Sequence, residues 1–305
     1  MTFDELIDRG WERHAGETQA VAGLLEQHAT LAADATQAAA LLRLSNHTIG
    51  EHLREWPRAA RLAAAVVGAV PEAGAAVAAL TSLAIAQCMS GASLDAQATQ
   101  VRIVLLDAGN AASIVARIAV EVGAHTIAAG DLDQGRTLYQ SALALARAHA
   151  DAATHRAVAI ASNNLASNLL ARNRRADAEA RLMLDAAHAA REFWLKCGTW
   201  ANDARAGYLL ALVYNAAGQP DTARSHGTQA LALLEAHGDE KVDEAFTHLA
   251  LANSSRLVGD RPGYDQHLAQ AERIGASFAD DALKEWFAGE RRGVLWASPQ
   301  SGSDT

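Results

Sequence analysis

The chain has 305 residues, half of them hydrophobic but only 5% aromatic, with a formal net charge of −9. That charge excludes the broad positive surface through which non-specific nucleic-acid binders displace phosphate counterions. Two cysteines, Cys88 and Cys197, stand far apart and outside any CxxC pair, which excludes a thiolate metal or redox motif and fits a reducing compartment.

Alanine fills the place of the scarce aromatics, and it has the highest helix propensity. Alternating strand patterns rich in Val, Ile and Thr are lacking, so the chain is predicted to be all-α. A chain of this length needs two cores or an elongated repeat that adds core as it grows.

The first residues, Met1-Thr2-Phe3-Asp4-Glu5, are acidic and do not read as a secretory n-region, so a cytoplasmic setting is expected. Two helices are predicted next, Phe3 to Arg13 and Glu17 to Leu31, broken at Gly16; residues 1–34 read as an N-terminal cap. His47-Thr48-Ile49-Gly50-Glu51-His52 superficially suggests zinc. A histidine pair on one α-helical face stands at i and i+4, as in H-E-x-x-H. Here the pair is i and i+5 with no third ligand marked nearby, so both read as helix-surface residues and no metal is expected. The most apolar stretch, Ala73 to Ala86, is too short and alanine-rich to span a bilayer.

A phrase then recurs: an apolar stretch with a small residue, a turn, and an alanine opening a second amphipathic stretch. Its clearest copy is Tyr208-Leu209-Leu210-Ala211-Leu212-Val213-Tyr214, the turn Gly218-Gln219-Pro220, then Ala223 and Ala230-Leu231. Gly123 precedes a turn at Gly130, with Tyr139 and Ala142-Leu143 after it. Leu165-Ala166 precede Asn173, followed by Ala178 and Leu182; Leu251-Ala252 precede Gly259, followed by Leu268 and Ala271. These turns lie 43, 45 and 41 residues apart, a near-constant period that points to stacked helical hairpins across residues 35–275. Weaker copies surround Trp56-Pro57-Arg58-Ala59, and Leu83-Ala84 with Gly91-Ala92. Ala279 to Trp296 is predicted as an amphipathic helix with Leu283, Trp286 and Phe287 on one side, a C-terminal cap within 276–297. Residues 298–305 are expected to be a disordered polar tail.

The recurring phrase resembles the tetratricopeptide repeat, whose pattern places a Leu–small pair, an aromatic, a turn glycine and two later alanines at these spacings. Asp185 departs from it at the second alanine, and Gly135 and Tyr264 at the first. The period exceeds the usual length of about 34 residues. Ala161-Ser162-Asn163-Asn164-Leu165-Ala166 is similar to the Asn-Asn-Leu-Ala phrase of kinesin-light-chain-type repeats. Similar long repeats occur in bacterial quorum-sensing regulators that bind short peptides. No helix-turn-helix pattern precedes the repeats here, so DNA binding by this chain is not expected.

The resemblance implies a right-handed α-solenoid of about six hairpins. It also implies a non-enzymatic scaffold whose concave groove, lined by the first helix of each hairpin, holds a peptide segment of a partner. In that register Arg117, Asn163, Ser167, Arg205, Tyr208, Asn215, Asn253 and Arg256 fall on or near the groove. Asparagine amides can hold an extended backbone, and arginine can clamp a carboxylate, which fits an acidic peptide or a free C-terminus.

Two alternatives stand beside this reading: an intracellular receptor for a short peptide or small effector, and a helical enzyme or accessory subunit. The second has no G-x-S-x-G elbow, P-loop or dinucleotide loop to support it, and no cofactor is expected. Asp239-Glu240 and Asp280-Asp281 read as helix starts, where acids complement the dipole. Arg172, Arg174 and Arg175 read as a solvated helix connection, and the tryptophans as gap fillers and end seals. Apolar residues on the terminal helices leave a homodimer open; neither nucleic acid nor membrane is expected as a partner.

Overall fold

The computed structural model describes residues 1–149 and 151–296; the tail at 298–305 lies outside the described residues. Among the described residues the chain is all-helical and contains no strand. Fifteen α-helices follow in order: α1 (Phe3–Arg13), α2 (Thr18–Gln27), α3 (Ala35–Ser45), α4 (Trp56–Ala69), α5 (Val77–Ser90), α6 (Ser93–Leu106), α7 (Ala111–Ala129), α8 (Leu132–Ala148), α9 (Ala152–Leu170), α10 (Asp177–Cys197), α11 (Trp200–Ala216), α12 (Pro220–His237), α13 (Lys241–Leu257), α14 (Arg261–Gly275) and α15 (Asp281–Gly293). A π-helical segment, Asn46–His52, joins α3 to the connection before α4. The chain forms two compact units, Met1–Thr154 and the part from His155 onward, with the boundary in the first turn of α9.

In the first unit, α5 packs on α6 and α7 on α8, and α5 also touches α7, so two hairpins meet through their first helices. Leu41, Leu44, Ile49, Leu80 and Ile114 are buried in its core. The α7–α8 crossing explains one departure from the repeat pattern. A Cβ on Gly123 would lie 2.8 Å from the Tyr139 nitrogen, and one on Gly135 would lie 2.8 Å from the Gly123 oxygen. The two backbones leave no room for alanine, and Tyr139 is buried beside the crossing. Ala108–Ala129, rather than the Ala73 to Ala86 stretch read as the most apolar, is long and apolar enough to cross a membrane by length and composition alone. It includes α7, which packs against α5, α6 and α8.

In the second unit, consecutive helices from α10 to α14 pack on one another, and α11 also touches α13. Gly218 closes the α11–α12 turn at φ 71°, in the left-handed region that a side chain disfavours, and the Gln219 N–H donates to the Tyr214 carbonyl at 2.9 Å. Pro220 then opens α12, where a missing N–H costs nothing. Ala223, Ala230 and Ala271, the alanines of the recurring phrase, are buried.

The Asn173 turn is built differently. Arg175 Nη1 donates to the carbonyls of Leu169 (3.1 Å), Leu170 (2.7 Å) and Arg172 (2.8 Å), and Arg172 pairs with Glu179. The basic cluster therefore caps the end of α9, and only Arg174 is fully solvated. At the C-terminal end, Phe287 of α15 seals a cluster with Phe246, Leu249, Ile274 and Phe278. Trp286 lies 4.4 Å from the Phe246 ring, centroid to centroid, yet stays 56% exposed, so it covers this end less completely than the gap fillers and end seals expected of the tryptophans.

The glycine crossing yields a contrast measurable by urea denaturation. Gly123→Ala and Gly135→Ala are each expected to lower unfolding free energy by about 1–3 kcal/mol, because a methyl group is forced into filled space. Gly68→Ala in α4, exposed with nothing within 4 Å of the added atom, is expected to raise it by about 0.5–1 kcal/mol.

Candidate functional site

Of the expected groove residues, Arg117 belongs to the first unit and the rest to the second. Arg117 is half-buried on α7, and its Nε is buried without a hydrogen-bond partner among the described residues. Asn215 is structural. Its Nδ2 donates to the Ala250 carbonyl at 2.9 Å and its Oδ1 accepts from Ser254 Oγ at 2.9 Å, stapling α11 to α13 inside the unit. Arg205, half-exposed, is held by Asp243 at 2.7 Å and Glu240 at 3.0 Å. Arg256 donates to Asn253 of its own helix at 2.7 Å. Tyr208 packs against the Phe246–Phe287 cluster, where burial first, and then the charges of Glu290 and Asp243, push its phenol well above the ordinary range.

Asn163 and Ser167 have a different setting. With Asn164 and Asn168 they stand at i, i+1, i+4 and i+5 of α9 and so share one face. Asn163 and Ser167 are half-buried and Asn164 and Asn168 exposed, and their side chains make no hydrogen bond among the described residues. Asparagine is a weak helix former, so this strip runs against the local preference of α9.

A second constellation lies in the first unit, and it includes His47 and His52, both expected to be helix-surface residues. The π-helical turn at Asn46–His52 changes the side-chain phase, so that histidines at i and i+5 meet: His52 Nε2 lies 3.2 Å from His47 Nε2. His14, just beyond α1, is the third member, with ring centroids 4.8 Å from His47 and 5.4 Å from His52. Gly10 lets α1 reach this place, because the added Cβ would collide with Leu44. Gly50 does the same on the other side, where a Cβ would lie 2.5 Å from the Trp56 ring.

Partners orient two of the rings. His14 Nδ1 lies 2.6 Å from the Trp11 carbonyl, and His47 Nδ1 lies 2.9 Å from Glu51 Oε2. The Trp11 ring covers both, with centroids 5.5 Å from His14 and 5.4 Å from His47. Burial first, then the neighbouring His47 and His14, holds His52 below the ordinary histidine value, which favours its neutral form. Glu51 continues the network through Oε1, 3.5 Å from His125 Nε2, and Glu121 lies 3.7 Å from the same nitrogen. Desolvation, followed by the like charge of Glu51, pushes the Glu121 carboxyl up to about 8, although 30% of its side-chain surface stays accessible. The arrangement can hold a cation on neutral nitrogens or carry protons between imidazoles and carboxylates.

The backbone around this cluster is strained. Arg54, two residues past the π-helical segment, has φ 57°, the one positive φ at a non-glycine residue among those described. Ser45 Oγ, Asn46 Oδ1 and Thr48 Oγ1 are buried without hydrogen-bond partners among the described residues. Outliers of this kind gather where a local arrangement is maintained at the expense of stability. Further histidine contacts lie in the second unit: His188 with Tyr214 at 2.7 Å, His237 stacked on Trp200 at 4.1 Å, and His248 with His267 at 3.0 Å.

Comparison with protein-family models and with curated proteins returns no match.

The Asn215 staple predicts a stability effect. Asn215→Ala is expected to lower unfolding free energy by about 1–3 kcal/mol, since it removes two buried hydrogen bonds. Guanidinium denaturation of the variant against wild type measures it.

Proposed function

We propose that the protein is a non-enzymatic, cytoplasmic helical-repeat module that holds an extended peptide segment of a partner along the α9 face of its second unit. The carrying observation is the strip Asn163, Asn164, Ser167 and Asn168: polar groups on one face, without partners, on a helix that would be more stable with alanine there. An asparagine amide offers a donor and an acceptor together, which matches the alternating N–H and C=O of an extended backbone. The tetratricopeptide-like phrase supports the same reading, because such repeats present the first helix of each hairpin to a ligand. Arg205 is committed to Asp243 and Glu240, so the reading rests on amides that hold a backbone rather than on a carboxylate clamp.

Selection of the full-length protein against a displayed library of unstructured peptides tests it, covering free peptides and protein segments alike. Selected peptides are expected to bind Asn163→Ala/Asn168→Ala about 10–30-fold more weakly, the loss of roughly two net hydrogen bonds. The same variant is expected to melt no lower than wild type, and even slightly higher, because alanine favours the helix. Failure to select any peptide, or equal binding by wild type and variant, overturns the proposal.

A further inference from the structure

We propose that His14, His47 and His52 form a binding site for one divalent transition-metal ion, with Zn2+ as the natural occupant. The three residues bring ligand atoms within 4.8 Å of one another. Around a tetrahedral zinc ion with Zn–N bonds of about 2.05 Å, neighbouring nitrogens lie roughly 3.3 Å apart. The His47–His52 edge, at 3.2 Å, is already at that length. Closing the remaining edges takes an adjustment of about 1.5 Å at most, within reach of imidazole rotation.

The orientation of the rings is what a metal needs. A ligating histidine donates its other ring N–H to a carboxylate or backbone carbonyl, which fixes the tautomer and raises the basicity of the free nitrogen. His47 has Glu51 in that place and His14 has the Trp11 carbonyl, which leaves Nε2 of each ring as the ligand atom; that of His47 now hydrogen-bonds His52 Nε2 and would exchange that bond for the ion. An all-imidazole donor set suits zinc and its late first-row neighbours rather than magnesium or calcium. Three protein donors leave a fourth position, so the ion carries a water molecule or an exogenous donor.

The backbone supplies a separate argument. The cluster exists because residues 46–52 are π-helical; an α-helical turn would put His47 and His52 on different faces. Strain at Arg54 and three unpartnered buried oxygens accompany that segment. A metal bridging the segment to His14 returns free energy to a backbone arrangement that is otherwise unfavourable. This inference does not rest on peptide capture, which involves α9.

The full-length protein, stripped with a chelator, is titrated with Zn2+ by calorimetry and with Co2+ by visible absorption. One equivalent per chain and four-coordinate cobalt bands are expected. His14→Gln and His52→Gln are each expected to weaken binding by more than the 10–100-fold that loss of an orienting partner costs, and Glu51→Gln by about 10–100-fold. His28→Gln, a control elsewhere in the first unit, is expected to bind as wild type. Far-UV circular dichroism of the metal-free variants checks the fold, and His52, being exposed, provides a substitution that keeps the fold even if His14→Gln does not. No binding of either ion at millimolar concentration, or undiminished binding by folded His52→Gln, overturns the proposal and leaves a hydrogen-bonded histidine cluster.

Discussion

The structure depends on how closely its helices approach one another. An alanine-rich chain buries little apolar area per residue, so a paired helix gains enough dispersion energy only when backbones come near contact. The small residues sit where that approach is closest. Gly123 faces Gly135 across α7–α8, Gly207 faces Ala230 across α11–α12, and Gly227 faces Leu251 across α12–α13. Large aromatic side chains are few, and two of them, Tyr139 and Phe193, are fully enclosed. The same constraint reaches the histidine cluster, since Gly10 and Gly50 set the approach of the elements that carry it.

The regular part of this architecture is legible in the sequence because it is local. A turn glycine, a following proline and alanines at helical spacing act within one hairpin, and the turns at Gly130, Gly218 and Gly259 stand between the helices expected around them. Phe3–Arg13 is recovered residue for residue, since its Thr2–Glu5 capping box marks the start. What depends on contacts between distant residues is harder to read. Nothing near Asn215 says that its amide faces inward to Ala250, or that Arg205 meets acids of the next hairpin. The histidine cluster was hidden for a sharper reason: a test for two ligands on an α-helical face assumes the α-helical period, and residues 46–52 do not have it. His14 stands too far away in the chain for any spacing rule to join it to them.

The two parts of the molecule use strain differently. Among the described residues, the hairpins from α5 onward carry left-handed backbone only at glycines, where it is cheap. The segment between α3 and α4 combines a π-helical turn, a left-handed arginine and buried oxygens without partners. The fold tolerates such a segment because its later helices pack on their neighbours in sequence and are stabilised by those local contacts. Regular packing supplies the stability, and the irregular connection concentrates the polar chemistry.

The Asn215 staple has a consequence for how the hairpins choose their alignment. An interface of alanines and glycines is smooth and nearly the same one helical turn along, so dispersion alone distinguishes poorly between neighbouring offsets. A buried amide with a single matching carbonyl and hydroxyl does distinguish them, as a lone polar residue does in a coiled coil. Slipping α13 past α11 by a turn would separate Asn215 from Ala250 and Ser254 and strand a polar group in the interior. One side chain thus works as a vernier for the stack, converting a surface that could slide into one with a single correct setting.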